Sequence, residues 1–136
     1  MIEYAIRRHL LDNPAVAAII GDRITPQPIP QGSALPCLTY TLAALTEDNQ
    51  EGDDDTLEMA RLQLDCWATT HKAARELARA VRLALPTTTG SIGSGSNRID
   101  EVSITPVNTG THIYEPDTQR HRVLMEFRIW YPTSVT

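Results

Sequence analysis

Residues 60–85, ARLQLDCWATTHKAARELARAVRLAL, contain a strand followed directly by the best-defined helix pattern of the chain. In the first nine residues every second side chain is apolar, which is typical of one face of a β-strand. Thr69 or Thr70 is a suitable N-cap for a helix over residues 71–85, in which apolar residues recur at three- and four-residue spacing. Pro86 ends that helix. This succession predicts a sheet with a long helix packed across it.

The flanking patterns predict two short helices before this stretch and strands on both sides of it. The helices are predicted over residues 2–11 and 14–20, the second capped by Asn13 and Gly21. Strands are predicted over residues 37–45, 57–68, 98–107 and 119–131, with a brief edge pairing at residues 24–25. Loops are predicted at residues 46–56, 87–97 and 109–118, the middle one a flexible Gly/Ser loop.

This order of elements predicts an α+β fold with one domain over residues 1–136. We expect a mainly antiparallel (mixed) sheet of about four to five strands, one long helix packed on it, and short N-terminal helices. In the strand at residues 57–68, Leu57, Met59 and Trp67 lie on the face opposite the alternating apolar residues. That strand is therefore either covered on both sides or interrupted by a bulge.

Composition excludes several classes of protein. The 136 residues are 41% hydrophobic, carry a net charge of −5 and include only 5% aromatic residues. Neither bulk binding of nucleic acid nor a stacking surface for single strands fits these values. The longest apolar run, residues 15–20, is too short to span a membrane, and the N-terminus lacks the pattern of a secretion signal. We expect a cytosolic location when the chain is made and no membrane partner.

The residue types used in catalysis and metal binding form no recognisable motif. His9, His71, His112 and His121 are not spaced as metal ligands, and GSIGSGS lacks the lysine of a phosphate-binding loop. Cys37 and Cys66 are expected to be reduced and buried, with a disulfide or redox role as the alternative. We therefore expect no catalytic residues, no cofactor and no metal.

Two charged features stand out. An acidic segment lies between the predicted strands, comprising Glu47, Asp48, Glu51, Asp53, Asp54 and Asp55. A basic stripe lies along the predicted long helix, comprising Lys72, Arg75, Arg79 and Arg82. Each feature is compatible with an ordinary solvated surface. Their opposite charges would equally suit a subunit that docks head-to-tail on its neighbour.

Three ordered stretches resemble the tail-completion (tail terminator) family of long-tailed bacteriophages. The first is IRRHLLDNPAVAAIIGDRITPQPIPQGSALPCLTY at residues 6–40, similar to a helix, a D-x-P-A-V-A-x-x-x-G-D-R-I turn and a proline-rich segment. The second is the strand and helix of residues 60–85. The third is YEPDTQRHRVLMEFRIWY at residues 114–131, which resembles a Tyr-Glu-x-x-Thr loop and closing strand.

The resemblance implies a structural virion protein and not an enzyme. Such proteins form a ring, usually of six subunits, at the head-proximal end of the tail tube, and are sometimes monomeric before assembly. The implied partners are copies of the chain, the tail tube protein and the head–tail connector, while DNA passes through the lumen without specific binding. The implied location is the virion, with assembly in the host cytoplasm.

Within this interpretation the acidic segment is expected at the lumen or rim, and the basic stripe between neighbouring subunits. Alternatives remain open at this point. A head-completion or stopper ring of the same neck is one, and a monomeric binding module is another. A third is a small enzyme that uses the acidic segment to hold Mg²⁺ or Ca²⁺.

Overall fold

The computed structural model describes residues 2–49, 55–85 and 88–134, which form a single α+β domain. The helices are α1 (Ile2–Leu11), α2 (Pro14–Ile20) and α3 (His71–Ala84). The strands are β1 (Ile24–Pro26), β2 (Cys37–Asn49), β3 (Asp55–Ala68), β4 (Thr88–Ile92), β5 (Ile99–Glu115) and β6 (Arg120–Ser134). A short 3₁₀ turn, Gly95–Asn97, links β4 and β5. No helix among these residues is long and apolar enough to cross a membrane.

The strands form one mixed sheet in the order β1-β2-β3-β6-β5-β4. Strand β1 pairs with β2 in parallel, and every other pairing is antiparallel. The long central pair runs from Asp55 opposite Ser134 to Ala68 opposite His121 without a change of register. The brief edge pairing predicted at residues 24–25 is confirmed as β1.

In the described part of the chain the sheet has six strands, so the expectation of four to five is wrong. The strand that the sequence did not indicate is β4, which lies inside the predicted Gly/Ser loop at residues 87–97. Gly90 pairs with Val102 there, and the side chain of Ile92 is buried against the core. Pairing with a neighbouring strand and burial of Ile92 therefore override a composition that favours a loop.

Two other predicted loops are largely strand. Of residues 46–56, the backbone at 46–49 belongs to β2 and that at 55–56 to β3, while residues 50–54 lie outside the described part of the chain. Residues 109–115 belong to β5, which continues through two changes of register between Pro106 and Thr111. These bulges break the alternation of side chains, so the pattern in the sequence no longer indicates a strand.

The core lies between the helices and one face of the sheet. Leu77 and Val81 of α3 have no exposed surface, and they face a sheet surface that includes Leu64 and Phe127, both equally buried. Helices α1 and α2 also contact α3. Thr70 begins α3 as predicted, because its hydroxyl accepts a hydrogen bond from the amide of Ala73 at 3.1 Å.

The opposite face of the sheet is also partly covered, as the pattern around Trp67 suggested. The Trp67 indole donates a hydrogen bond to the Thr39 hydroxyl at 2.9 Å, and the Arg122 guanidinium lies over the indole ring. Asp65 is buried and accepts hydrogen bonds from the side chains of Gln27 and Gln63. Burial raises the pKa of this carboxyl above its ordinary value. The alternative, a bulge in β3 itself, is not found in its pairing with β6, and the irregularity lies in the partner strand β2, between Leu42 and Ala44.

Arg23 holds the proline-rich segment in place. Gly21 ends α2 with a positive φ of 61°, which a residue without Cβ adopts readily. Arg23 then donates hydrogen bonds to the carbonyl oxygens of Ile19 and Pro36, at 3.2 and 2.9 Å. One guanidinium therefore ties the end of α2 to the residue that precedes β2.

Both cysteines are buried and free, which agrees with the expectation of two reduced thiols. Burial raises the pKa of both thiols, most strongly that of Cys66. A thiol with a raised pKa is a poor nucleophile and packs as a small apolar group.

The packing of α3 leads to a testable contrast between two leucines of that helix. Leu77→Ala should lower the free energy of unfolding by about 2–5 kcal/mol, because it opens a cavity against the sheet. Leu83→Ala removes the same atoms from a side chain that is 64% exposed. It should change the free energy of unfolding by less than about 0.5 kcal/mol. Urea unfolding followed by circular dichroism measures both. Equal losses would contradict the observed orientation of α3.

Candidate functional site

The basic stripe lies on the outer flank of α3. Because the helix buries Leu77 and Val81, the positions of Lys72, Arg75, Arg79 and Arg82 are turned toward solvent, and all four side chains are exposed. Lys72 approaches Glu76 at 3.9 Å. Among the described residues, no ion pair involves Arg75, Arg79 or Arg82.

A cleft of about 750 Å³ lies between this flank and strands β5 and β6. The four basic side chains form one wall, and Gly110, His112 and Val123 form the other. Gly110 has φ of 153°, and a Cβ there would come within 3.3 Å of Val123. The bulge in β5 therefore needs glycine to lie this close to β6.

Three histidines from three different elements meet at one end of this cleft. His71 begins α3, His112 lies on β5 and His121 on β6. The ring centroids of His71 and His112 are 4.3 Å apart, and those of His112 and His121 are 5.1 Å apart in a stacked arrangement. Nε2 of His112 is 2.9 Å from Nδ1 of His121, a hydrogen-bond distance. We call these residues the histidine cluster, and the cleft they border the histidine–arginine cleft.

The surroundings of the cluster disfavour positive charge on His112. Desolvation and the nearby His71, His121 and Arg75 lower the pKa of His112 from its ordinary value of 6.5. The hydrogen bond between His112 and His121 also disfavours a state in which both rings are protonated. One ring nitrogen must accept for the other to donate, and two protonated nitrogens would repel each other.

The acidic segment is located far from the histidine cluster. Glu47 and Asp48 belong to β2 and Asp55 begins β3, whereas Glu51, Asp53 and Asp54 lie outside the described residues. The histidine cluster is at the other end of the same sheet, where His121 pairs with Ala68. The two features are therefore separated by nearly the full length of β3.

The structure thus brings together all four residues of the basic stripe and adds a cluster that the sequence did not indicate. One feature could have indicated part of this cluster from the sequence. A hairpin formed by β5 and β6 would place residues 112 and 121 on adjacent strands. That signal was hidden because residues 109–118 were predicted to be a loop. Within the described ranges, no group of three or more His, Cys, Asp or Glu side chains is arranged to hold a metal ion.

An exposed basic stripe on α3, together with an acidic segment whose described backbone lies at the far end of β3, would suit a protein that docks on other chains. The model of the family described as "Tail completion protein gp17" matches residues 4–132, and the chain belongs to that family. The chain is therefore a structural protein of the phage tail, as its resemblance to tail-completion proteins implied.

A comparison with solved structures finds the same fold in another protein. A chain from the structure titled "Virion of native gene transfer agent (GTA) particle" superposes with a TM-score of 0.72 at 13% sequence identity. The match covers 97% of this chain and 95% of the other. The α+β architecture is thus shared at low sequence identity. A comparison with curated proteins finds no significant match.

The histidine cluster can be tested by its titration. We expect the pKa of His112 in the free protein to be lower than that of an isolated histidine. His71→Gln should raise it part of the way back, because one neighbouring ring can no longer carry charge. Histidine ring signals in NMR spectra recorded against pH give this value. Arg82→Gln, at the far end of the cleft, is the matched control, and an equal response to it would contradict the cluster.

Proposed function

We propose that this protein is a tail terminator that acts as one subunit of a ring at the head-proximal end of the tail tube. The ring stops growth of the tube and joins the finished tail to the head, and DNA passes through its lumen. Its activity comes from shape and charge, without a reactive group, a cofactor or a metal. Membership of the tail-completion family supports the setting.

The observation that best supports a ring is the separation between the acidic segment and the basic stripe. Thr56 and Ala68 lie at opposite ends of β3, about 40 Å apart at roughly 3.3 Å per residue. Charges in solution are screened beyond about 8 Å at physiological salt, so the acidic segment does not interact with the start of the stripe at Lys72, which follows Ala68 at the far end of β3. Two subunits placed head-to-tail do bring them together, and repetition of an unlike contact closes into a ring when the rotation permits.

In this proposal the basic stripe faces the neighbouring subunit. Arg75, Arg79 and Arg82 have no ion pair among the described residues and are held on a helix whose inner face is fixed by the core. Arginine forms two parallel hydrogen bonds with a carboxylate, which gives such a contact direction as well as charge.

The acidic segment has two positions to distinguish, the lumen and the rim of the ring. A lumen position would repel DNA phosphates, but it would also bring the acidic segments of all subunits toward one another. At a rim position, at the junction with the neighbour, the negative charge of the acidic segment is neutralised by the basic stripe of the neighbouring subunit. We propose the rim, because like charges gathered around a narrow opening destabilise the assembly.

The same contact explains why the chain could be made in the host cytoplasm as a monomer and still close into a ring in the virion. Contacts between charged side chains on an exposed surface contribute little individually, about 0–1 kcal/mol each. Several are needed at once, together with contacts to the tube end. The tail tube protein then provides the surface on which subunits assemble, and the head–tail connector binds the opposite side.

Charge reversal in the stripe tests the contact between neighbours. The triple variant Arg75→Glu, Arg79→Glu, Arg82→Glu should fold normally, since all three side chains are exposed, but it should not complete tails. Electron microscopy of lysates measures tail completion, and circular dichroism of the purified chain measures folding. The triple change to Lys keeps the charge and is the control. Normal tails from the Glu variant would exclude the stripe as an interface.

Reversal of the acidic segment separates rim from lumen. With Asp53, Asp54 and Asp55 changed to Lys, a rim position predicts loss of rings, because like charges then meet at the junction. The corresponding change to Asn is the control and should weaken assembly less. Intact rings that retain DNA would instead establish the lumen position.

Removal of the chain tests the terminator role itself. In its absence we expect abnormally long tails without heads, because nothing stops the tube. Tails of normal length that fail to join heads would identify a stopper or head-completion ring instead. Electron microscopy of the lysate distinguishes the two outcomes.

A further inference from the structure

The histidine–arginine cleft has more positive charge than its own subunit neutralises. Lys72, Arg75, Arg79 and Arg82 line it, and among the described residues Glu76 is the only acidic one on its walls. That glutamate is exposed and lies near Lys72, at one end of the stripe. Side chains of like charge held this close repel one another, so an anion that enters the cleft is stabilised by all of them.

The histidine cluster adds a second feature that favours an anion. The contact between His112 and His121 at 2.9 Å requires that one facing nitrogen has no proton. Arg75 and His71 lie beside the same rings. An anion that accepts hydrogen bonds from the rings removes this restriction, because each imidazolium then donates to the anion instead of facing another donor.

The carboxylates in the acidic segment of this chain are the matching anion. Residues 47–55 contain six acids among nine residues, a density found nowhere else in the sequence. The segment cannot reach the histidine cluster of its own subunit, because the length of β3 separates them by about 40 Å. The acidic segment of a second copy is not limited by this distance and can reach the cleft.

We infer that the histidine–arginine cleft is a carboxylate-binding site for the acidic segment of a second copy of this chain, and that the histidine cluster takes up a proton as the segment docks. The inference rests on the proposed head-to-tail contact and names the site that receives it. The stripe supplies attraction that does not depend on pH. The histidine cluster makes the strength of docking depend on pH.

The direction of that dependence follows from the groups that face the cluster. These are Lys72, Arg75 and Glu76 of α3 and Tyr114 of β5, whose ring is 4.8 Å from that of His121. A docked carboxylate favours the protonated imidazole, so it opposes the effects that lower the pKa of His112. Docking is therefore strengthened as pH falls through the usual histidine range and weakened as pH rises above it.

A peptide of residues 45–57 tests the site directly on the purified full-length chain. Fluorescence anisotropy of the labelled peptide gives Kd at about pH 6 and about pH 7.5, where Asp and Glu stay ionised and histidine changes charge. We expect about tenfold tighter binding at the lower pH. A peptide with all six acids changed to Asn or Gln should not bind.

Three variants test which residues produce the binding and its pH dependence. His71→Gln combined with His112→Gln should reduce the pH response to less than about threefold. Arg79→Gln should weaken binding at both pH values by a similar factor and retain the pH response. His9→Gln, which changes the histidine outside the cluster, should leave both properties unaltered.

Each contrary result overturns the inference. Absence of peptide binding at both pH values would exclude the carboxylate site, and binding without a pH response would exclude the role of the histidines. An unaltered pH response in the double histidine variant would also exclude that role. If a short DNA duplex competed more strongly than the unlabelled peptide, the cleft would be a phosphate site. Rings that form from a chain unable to bind the peptide would remove this inference and leave the proposed function standing.

Discussion

The burial of one face of α3 against the central strands is the interaction on which the rest of the structure depends. Leu77 and Val81 have no exposed surface, and they pack over a sheet face that includes Leu64 and Phe127. Burying side chains of this size stabilises the fold by about 1.5–3 kcal/mol each. It also leaves α3 only one rotation about its axis. The arginine positions are determined by that rotation, because they occupy the remaining flank of the helix.

The cleft is a consequence of that constraint combined with an irregular strand. The stripe would be an ordinary solvated surface if nothing lay opposite it. The bulges of β5 between Pro106 and Thr111 instead carry Gly110 and His112 to the opposite side of the cleft. Bulges change the direction in which a strand presents its side chains, and here the result is a concave basic surface. A regular β5 would present a different set of side chains to α3.

Regular elements and the family were predictable, because their signals lie in short stretches of sequence. The spacing of apolar residues predicted the three helices closely, and Asn13, Gly21 and Thr70 marked helix ends that the structure shows. The irregular strands were not predictable. Residues 88–92 and 109–115 pair with distant parts of the chain, and neither their composition nor their alternation indicated a strand. The basic stripe was visible from helical spacing, whereas the histidine cluster was not.

The sequence by itself determined the helices, the central strands, the two oppositely charged features and the resemblance to tail-completion proteins. Each of these is set by residues that are close together in the chain or by a motif that can be compared directly. Only the tertiary structure decided that His71, His112 and His121 meet, and that the acidic segment and the histidine cluster lie at opposite ends of one sheet. The physical reason is strand register. Which residues of distant strands face each other depends on bulges and pairing partners, and no local pattern specifies those.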